Sequence, residues 1–168
     1  MVIETVTPSP IPTLTFVPSA TPTIEELIFP HTIEGLRRHE YQSGEIRIRE
    51  TLGETEFYIS YLIEYPSDGL TITGVMQIPR GEGPFPVIVM NHGFFSRRVF
   101  NSGDGTDRAS AFLNQYGYIT LASDYRTWGN SETGASFFYS GLVTDVINLI
   151  RAIPSIPEAD PVTAWVVE

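Results

Sequence analysis

The chain has no cysteine and no lysine. The first absence excludes disulfides, a thiolate nucleophile and cysteine-ligated zinc or iron–sulfur centres, and it leaves the redox compartment open. The second means that all ten basic residues are arginine. Schiff-base chemistry and Walker-type nucleotide hydrolysis both need a lysine amine and drop out. Positive charge is scarce altogether: ten basic residues face twenty acidic ones, and the formal net charge of −10 repels the phosphates of nucleic acids and of anionic membranes. No uninterrupted apolar run approaches the ~18 residues of a membrane span, and Met1-Val2-Ile3-Glu4 lacks the basic start of a signal peptide. On its composition the chain reads as soluble, with no nucleic-acid partner, no membrane span and no export signal of its own.

What is present is the material of one ordinary domain: 168 residues, 42% of them hydrophobic and 18% charged, enough for a single buried core. Residues 1–23 stand apart as a Thr/Pro-rich linker. Pro8, Pro10, Pro12, Pro18 and Pro22 each remove a backbone donor and force the preceding residue into an extended conformation. Residues 5–23 thus form a stiff tract that reaches ~60 Å at the ~3.1 Å per residue of polyproline. A linker implies something to link. We expect the protein to begin upstream of Met1 with a signal or lipid-anchor peptide, and to be held outside the cell or at the cell envelope on this stalk. The plainer alternative is a disordered tail on a cytoplasmic protein.

Residues 24–44 read as a lead-in segment, in which Ile24, Leu27, Ile28, Ile33 and Leu36 are loosely helical in spacing but Pro30 divides them into short turns. Residues 45–168 hold the folded unit. The alternation over 45–52 predicts a half-exposed strand. The aromatic and β-branched run 57–65 predicts a second that stops at Pro66, and 70–78 a third, after the turn Ser67-Asp68-Gly69. Connections this short make antiparallel hairpins. Beyond Pro79 strands and helices alternate. An apolar strand over 87–90 precedes a helix over 107–116 that Asp107 caps and Gly117 ends, and a second apolar strand spans 118–122. Leu142, Val143, Val146, Ile147, Leu149 and Ile150 form the apolar face of a helix that stops before Pro154, and a last apolar strand spans 164–167. Buried strands separated by helices predict a parallel sheet covered on both faces.

In such sheets ligands bind beyond the carboxyl ends of the strands, which here carry Asn91-His92-Gly93-Phe94-Phe95 and Asp124-Tyr125-Arg126-Thr127-Trp128-Gly129-Asn130-Ser131. With PFPVIVMNHGF (84–94), YGYITLASDYRTWGNS (116–131), the amphipathic helix around Asp145 and ADP (159–161), the chain from about Tyr61 onward resembles the α/β-hydrolase superfamily, and within it the prolyl-oligopeptidase-like serine peptidases and esterases. The resemblance implies an α/β protein with a partial α/β-hydrolase fold, in which N-terminal antiparallel strands run into a mainly parallel sheet with flanking helices, truncated before the nucleophile elbow. It implies that the backbone N–H of Phe94 is an oxyanion-hole donor, worth about 10²- to 10³-fold in rate, and that Gly93 lets the backbone approach without a β-carbon. His92 is then a residue that orients the loop through ring hydrogen bonds. It is not the general base, because the family order is nucleophile, acid, histidine.

The same order argues against Asp124 as a triad acid and for a structural loop in which Arg126 ties to a carboxylate and Gly129 makes the turn. Ser131 and Ser136 follow Gly129 and Gly134 at the spacing of an elbow, but Thr133 and Phe138 stand where the second glycine belongs, so neither is the nucleophile. His31 and His39 read as surface or packing residues, in no metal-ligand pattern with a carboxylate pair; no metal and no cofactor is expected. Phe94, Phe95, Phe100, Trp128, Phe137, Phe138 and Tyr139 fit either an apolar acyl pocket or the packing of loops and helix ends, and packing is the default.

No Gly-x-Ser-x-Gly occurs in the sequence. The nucleophile, acid and base are therefore expected beyond residue 168, residues 1–168 alone are expected to be inactive, and the last strand is expected to lie at an unpaired, aggregation-prone edge. The expected parent is a serine hydrolase acting on small peptide or ester substrates. The alternatives are a non-catalytic remnant or binding module that keeps the sheet, and a dienelactone-hydrolase-type or carbohydrate esterase with the same front half.

Overall fold

In the computed structural model, which describes residues 21–167, Pro30 divides the lead-in helix in two. The linker expected over residues 1–23 lies outside the described residues up to residue 20. Helix α1 (Ile24–Ile28) starts in a capping box, Thr23 and Glu26 each bonding the other's backbone N–H. Pro30 then sits in a 3₁₀ turn (Phe29–His31), and Thr32 caps α2 (Ile33–Arg38) by accepting from Gly35 N–H.

Strands β1 (Arg47–Glu54), β2 (Tyr58–Ser67) and β3 (Leu70–Pro79) form an antiparallel meander. Strands β4 (Phe85–Met90), β5 (Ile119–Ser123) and β6 (Ala159–Val167) are mutually parallel, with α3 (Asp107–Asn114) and α4 (Ser140–Ala152) as the crossovers. All six join one sheet in the order β1-β2-β3-β5-β4-β6, and the antiparallel β3–β5 pair joins the two halves. Strand β4 therefore lies between β5 and β6.

Alternation along the strands assigns the two covering layers. Val87, Val89, Ile119 and Leu121 belong to the main core with Leu149 of α4, Ile153 and Ile156. On the opposite face Met90 Sδ accepts from Ser110 Oγ of α3 (3.1 Å), and Asn114 of α3 reaches the Gln77 carbonyl (3.4 Å) and Thr120 Oγ1 (3.5 Å). The expected two-faced cover is present over the parallel half.

Several boundaries differ from the sequence expectation. Strand β2 continues through Pro66 to Ser67, because Ser67 and Leu70 flank a two-residue turn in which Asp68 (φ 49°) and Gly69 (φ 78°) are left-handed. Pro66 pairs with Thr71, whose N–H and C=O point away from β2 to Glu132, so the missing proline donor leaves no ladder bond unmade. Strand β1 is exposed along its whole length rather than half-buried, since two register irregularities break its alternation at the sheet edge. Thr106, not Asp107, is the N-cap residue of α3, which ends at Asn114 before left-handed Gly117 (φ 81°). Strand β6 begins at Ala159 rather than residue 164, its pairing with β4 interrupted between Phe85 and Val87.

The largest difference is in α4. Its buried face is small and polar (Gly141, Thr144, Asp145, Asn148, Ala152) around Leu149, while Leu142, Val146 and Ile147 are half-buried and Val143 is exposed. Asp145 and Asn148 turn inward because Ser67, Arg126 and Gln42 present donors to them there.

Candidate functional site

The loop after β4 leaves the sheet between its two parallel neighbours. Asn91 N–H donates to the Val167 carbonyl (3.0 Å), which extends the β4–β6 pairing one step and sets the end of β6 beside His92-Gly93. Gly93 is exposed, and a β-carbon there would meet nothing within 4 Å, so no described neighbour requires a glycine and the space above it is open. The Phe94 N–H has no protein acceptor among the described residues, and its ring is 82% exposed.

His92 is caged by aromatic rings, its centroid 4.4 Å from Tyr125, 4.6 Å from Phe100 and 5.7 Å from Phe95. Its Nδ1 lies 2.8 Å from the Gly93 carbonyl. A carbonyl only accepts, so Nδ1 is the donor in this bond, and Nε2 is the ring's other polar atom. That Nε2 is buried and unpartnered among the described residues.

The loop after β5 braces this arrangement. Tyr125 is left-handed (φ 61°) and buried, and its hydroxyl lies 3.3 Å from Asn91 Oδ1 and 3.4 Å from the His92 carbonyl. Asp124 is fully buried, with Oδ2 accepting from Thr73 Oγ1 (2.6 Å) and Ser102 Oγ (2.5 Å). Burial pushes its carboxyl pKa up, against the lowering effect of the Ser102 and Thr73 hydroxyls and of nearby His92. Gly129 turns the chain with φ 56°, where a β-carbon would run into the Asp124 carboxylate. Arg126 points the other way, into Asp145. The loop residues thus tie the ends of β3, β5 and α4 together.

Asn91, His92, Gly93 and Tyr125 line a cleft of about 640 Å³ whose remaining wall is the half-open apolar face of α4: Leu142, Val143, Val146 and Ile147. Of the aromatic residues expected to pack, Phe100 and Trp128 are buried, whereas Phe94, Phe137, Phe138 and Tyr139 are exposed. Ser131 Oγ accepts from Thr73 N–H (3.0 Å), and the Ser136 hydroxyl is buried without a partner among the described residues; neither faces the cleft lining. His31 Nδ1 pairs with Ser140 Oγ (2.8 Å) and His39 Nε2 with Asp68 (3.1 Å), both away from that lining. Among the described residues no group of three His, Asp or Glu side chains converges as metal ligands would. Tyr125 was not singled out from the sequence; the signal that could have found it is its place directly after the strand-end Asp124.

No family model and no curated protein matches the chain. Solved structures do. Acetyl xylan esterase 1 from Thermoanaerobacterium sp. superposes with a TM-score of 0.57 at 22% identity, over 73% of this chain and 44% of that one. A cold-adapted esterase from an Arctic intertidal metagenomic library gives 0.54 at 16% identity, over 71% and 54%. An S-formylglutathione hydrolase from Agrobacterium tumefaciens gives 0.53 at 14%, over 71% and 51%. The fold is a partial α/β-hydrolase fold, and the chain spans about half the length of the proteins it superposes on.

Proposed function

We propose that the chain is the forward part of a serine esterase, supplying the oxyanion loop of an acyl-transfer site whose serine, acid and histidine come from sequence outside residues 1–168. The observation that carries this reading is the Phe94 N–H, without a protein acceptor among the described residues, at the carboxyl end of a central parallel strand and next to an apolar cleft. In the reaction the serine Oγ adds to the ester carbonyl while its proton passes to the histidine, and the carbonyl oxygen becomes an oxyanion that accepts from Phe94 N–H. Collapse expels the alcohol, which takes the proton, and water then releases the acid by the same two steps. A donor in place before the charge develops stabilises it without reorganisation. Gly93 leaves the approach open, and His92 positions the loop through its bond to the Gly93 carbonyl.

We place ester bonds, acetyl esters of carbohydrates included, ahead of the peptide bonds of a prolyl-oligopeptidase-like enzyme, in keeping with the names of the structural neighbours. The Thr/Pro tract fits a tether outside the cytoplasm.

The test is hydrolysis of 4-nitrophenyl acetate by the full-length enzyme. Phe94→Pro deletes the donor and is expected to lower kcat by about 10²- to 10³-fold with little change in KM; Phe94→Ala keeps the donor and loses far less. Equal rates for the two variants would overturn the assignment.

A further inference from the structure

Gly93 borders the cleft, and the residues after it border a second hollow of about 650 Å³ whose lining includes Phe94, Phe95, Arg97, Arg98, Trp128 and Tyr139 and, among the described residues, contains no acidic side chain. We propose that this hollow binds an aromatic carboxylate, the negatively charged aromatic end of a substrate for the adjoining site. The word substrate rests on the esterase reading; the binding does not.

The rings and the cations are both arranged for a ligand rather than for the core. Phe94 and Tyr139 are 82% and 67% exposed, so their faces are open to stacking. The Arg97 guanidinium lies 4.7 Å over the Trp128 ring, and Trp128 is itself fixed, 7% exposed with Nε1–H donating to the Phe95 carbonyl (3.0 Å). A guanidinium stacked on an indole face keeps its in-plane N–H fork free, and that fork matches a planar carboxylate. Among the described residues Arg97 and Arg98, like Arg37, Arg47, Arg108 and Arg151, pair with no carboxylate, and here two such cations stand side by side against exposed rings. In a chain of net charge −10 this spot reverses the local sign, which favours an anion. Tyr139 reaches the hollow from a strained backbone, Phe138 and Tyr139 both being left-handed (φ 50° and 62°) just before α4. Such strain in two successive non-glycine residues persists only where the surroundings hold it, and it marks functional segments.

The test is a ligand-observed NMR titration of the 168-residue chain with 4-methylbenzoate and with its neutral counterpart 4-methylbenzyl alcohol. The carboxylate is expected to bind about fivefold more tightly at low salt. Added salt, Arg97→Gln or Arg98→Gln should each reduce that preference; both arginines are exposed, so the variants keep the fold. Binding of neither compound, equal binding of both, or a preference that survives both substitutions overturns the proposal. Ester hydrolysis without a carboxylate preference defeats this inference alone, and carboxylate binding without hydrolysis by the full-length enzyme defeats only the esterase reading.

Discussion

Arg126 and Asp145 close a buried ion pair between the loop after β5 and the inward face of α4. The Arg126 Nη2 and Nε donate to Asp145 Oδ1 at 2.8 and 3.2 Å, Arg126 backbone N–H donates to Oδ2 at 2.8 Å, and Ser67 Oγ adds a bond to Oδ1 at 2.6 Å. One carboxylate of α4 thereby collects donors from the end of β2 and from the β5 loop.

Removing either partner leaves a charge in a site with almost no solvent, since the side chains are 9% and 0% exposed. Asp145→Ala is expected to destabilise the protein by about 3–5 kcal/mol, read by urea denaturation. Arg126→Met combined with Asp145→Leu removes both charges and should recover part of that loss. Recovery stays partial because the Ser67 hydroxyl and the Arg126 N–H still need an acceptor. A single substitution costing under 1 kcal/mol would contradict the pairing.

Asp124 sets a pH dependence of the opposite sign to that of an ordinary paired carboxylate. Its folded pKa is raised above the unfolded value by burial, so the folded state holds this proton more tightly than the unfolded chain does. Its contribution to stability is present below the unfolded pKa and is lost as pH rises through the folded one. Wild type should therefore gain stability relative to Asp124→Asn as pH falls from neutral toward the ordinary carboxylate range. Denaturation at a series of pH values measures the difference; a gap that is flat or widens the other way would refute it.

Gly129 is the turn on which the Asp124 side of the loop depends. Gly129→Ala places a β-carbon against the Asp124 carboxylate at a left-handed φ, and a cost of about 2 kcal/mol or more is expected from strain and displacement together. Gly93→Ala, with open space around its β-carbon position, should leave thermal stability within about 0.5 kcal/mol. A thermal melt of the two variants side by side separates a glycine required by the fold from one whose openness faces the cleft.

The parts of this arrangement that depend on hydrophobic period were legible in the sequence. Val87 to Met90 and Ile119 to Ala122 are short apolar runs closed by polar loop residues, and that pattern belongs to parallel strands wherever they are buried. The α4 helix was legible in extent but not in orientation. An apolar count favours Leu142, Val143 and Val146 as the inner face, because it does not register that Asp145 and Asn148 meet waiting donors from β2, the β5 loop and the lead-in segment. Pro66 misled in the same way, since its effect depends on which side of the strand the missing N–H faces. The candidate oxyanion donor is a main-chain N–H, which no side-chain pattern encodes; only the resemblance of the Asn91-His92-Gly93-Phe94 loop pointed to it.

The edge formed by β6 carries the last prediction. Strand β6 pairs with β4 on one side only, and Trp165, Val166 and Val167 are 48%, 50% and 41% exposed among the described residues. An unpaired edge with apolar side chains on both faces is a template for another strand. The 168-residue chain is expected to associate in sedimentation velocity runs at micromolar concentration. Trp165→Arg and Val166→Lys, on opposite faces of the strand, should each shift it toward monomer, because a charge on an edge strand resists burial against a second copy. A monomer that sediments identically with and without these substitutions would show that the edge is inert. Association unchanged by either would move the contact to another surface, the exposed apolar side chains of Ile24, Leu27 and Ile33 being the next place to substitute.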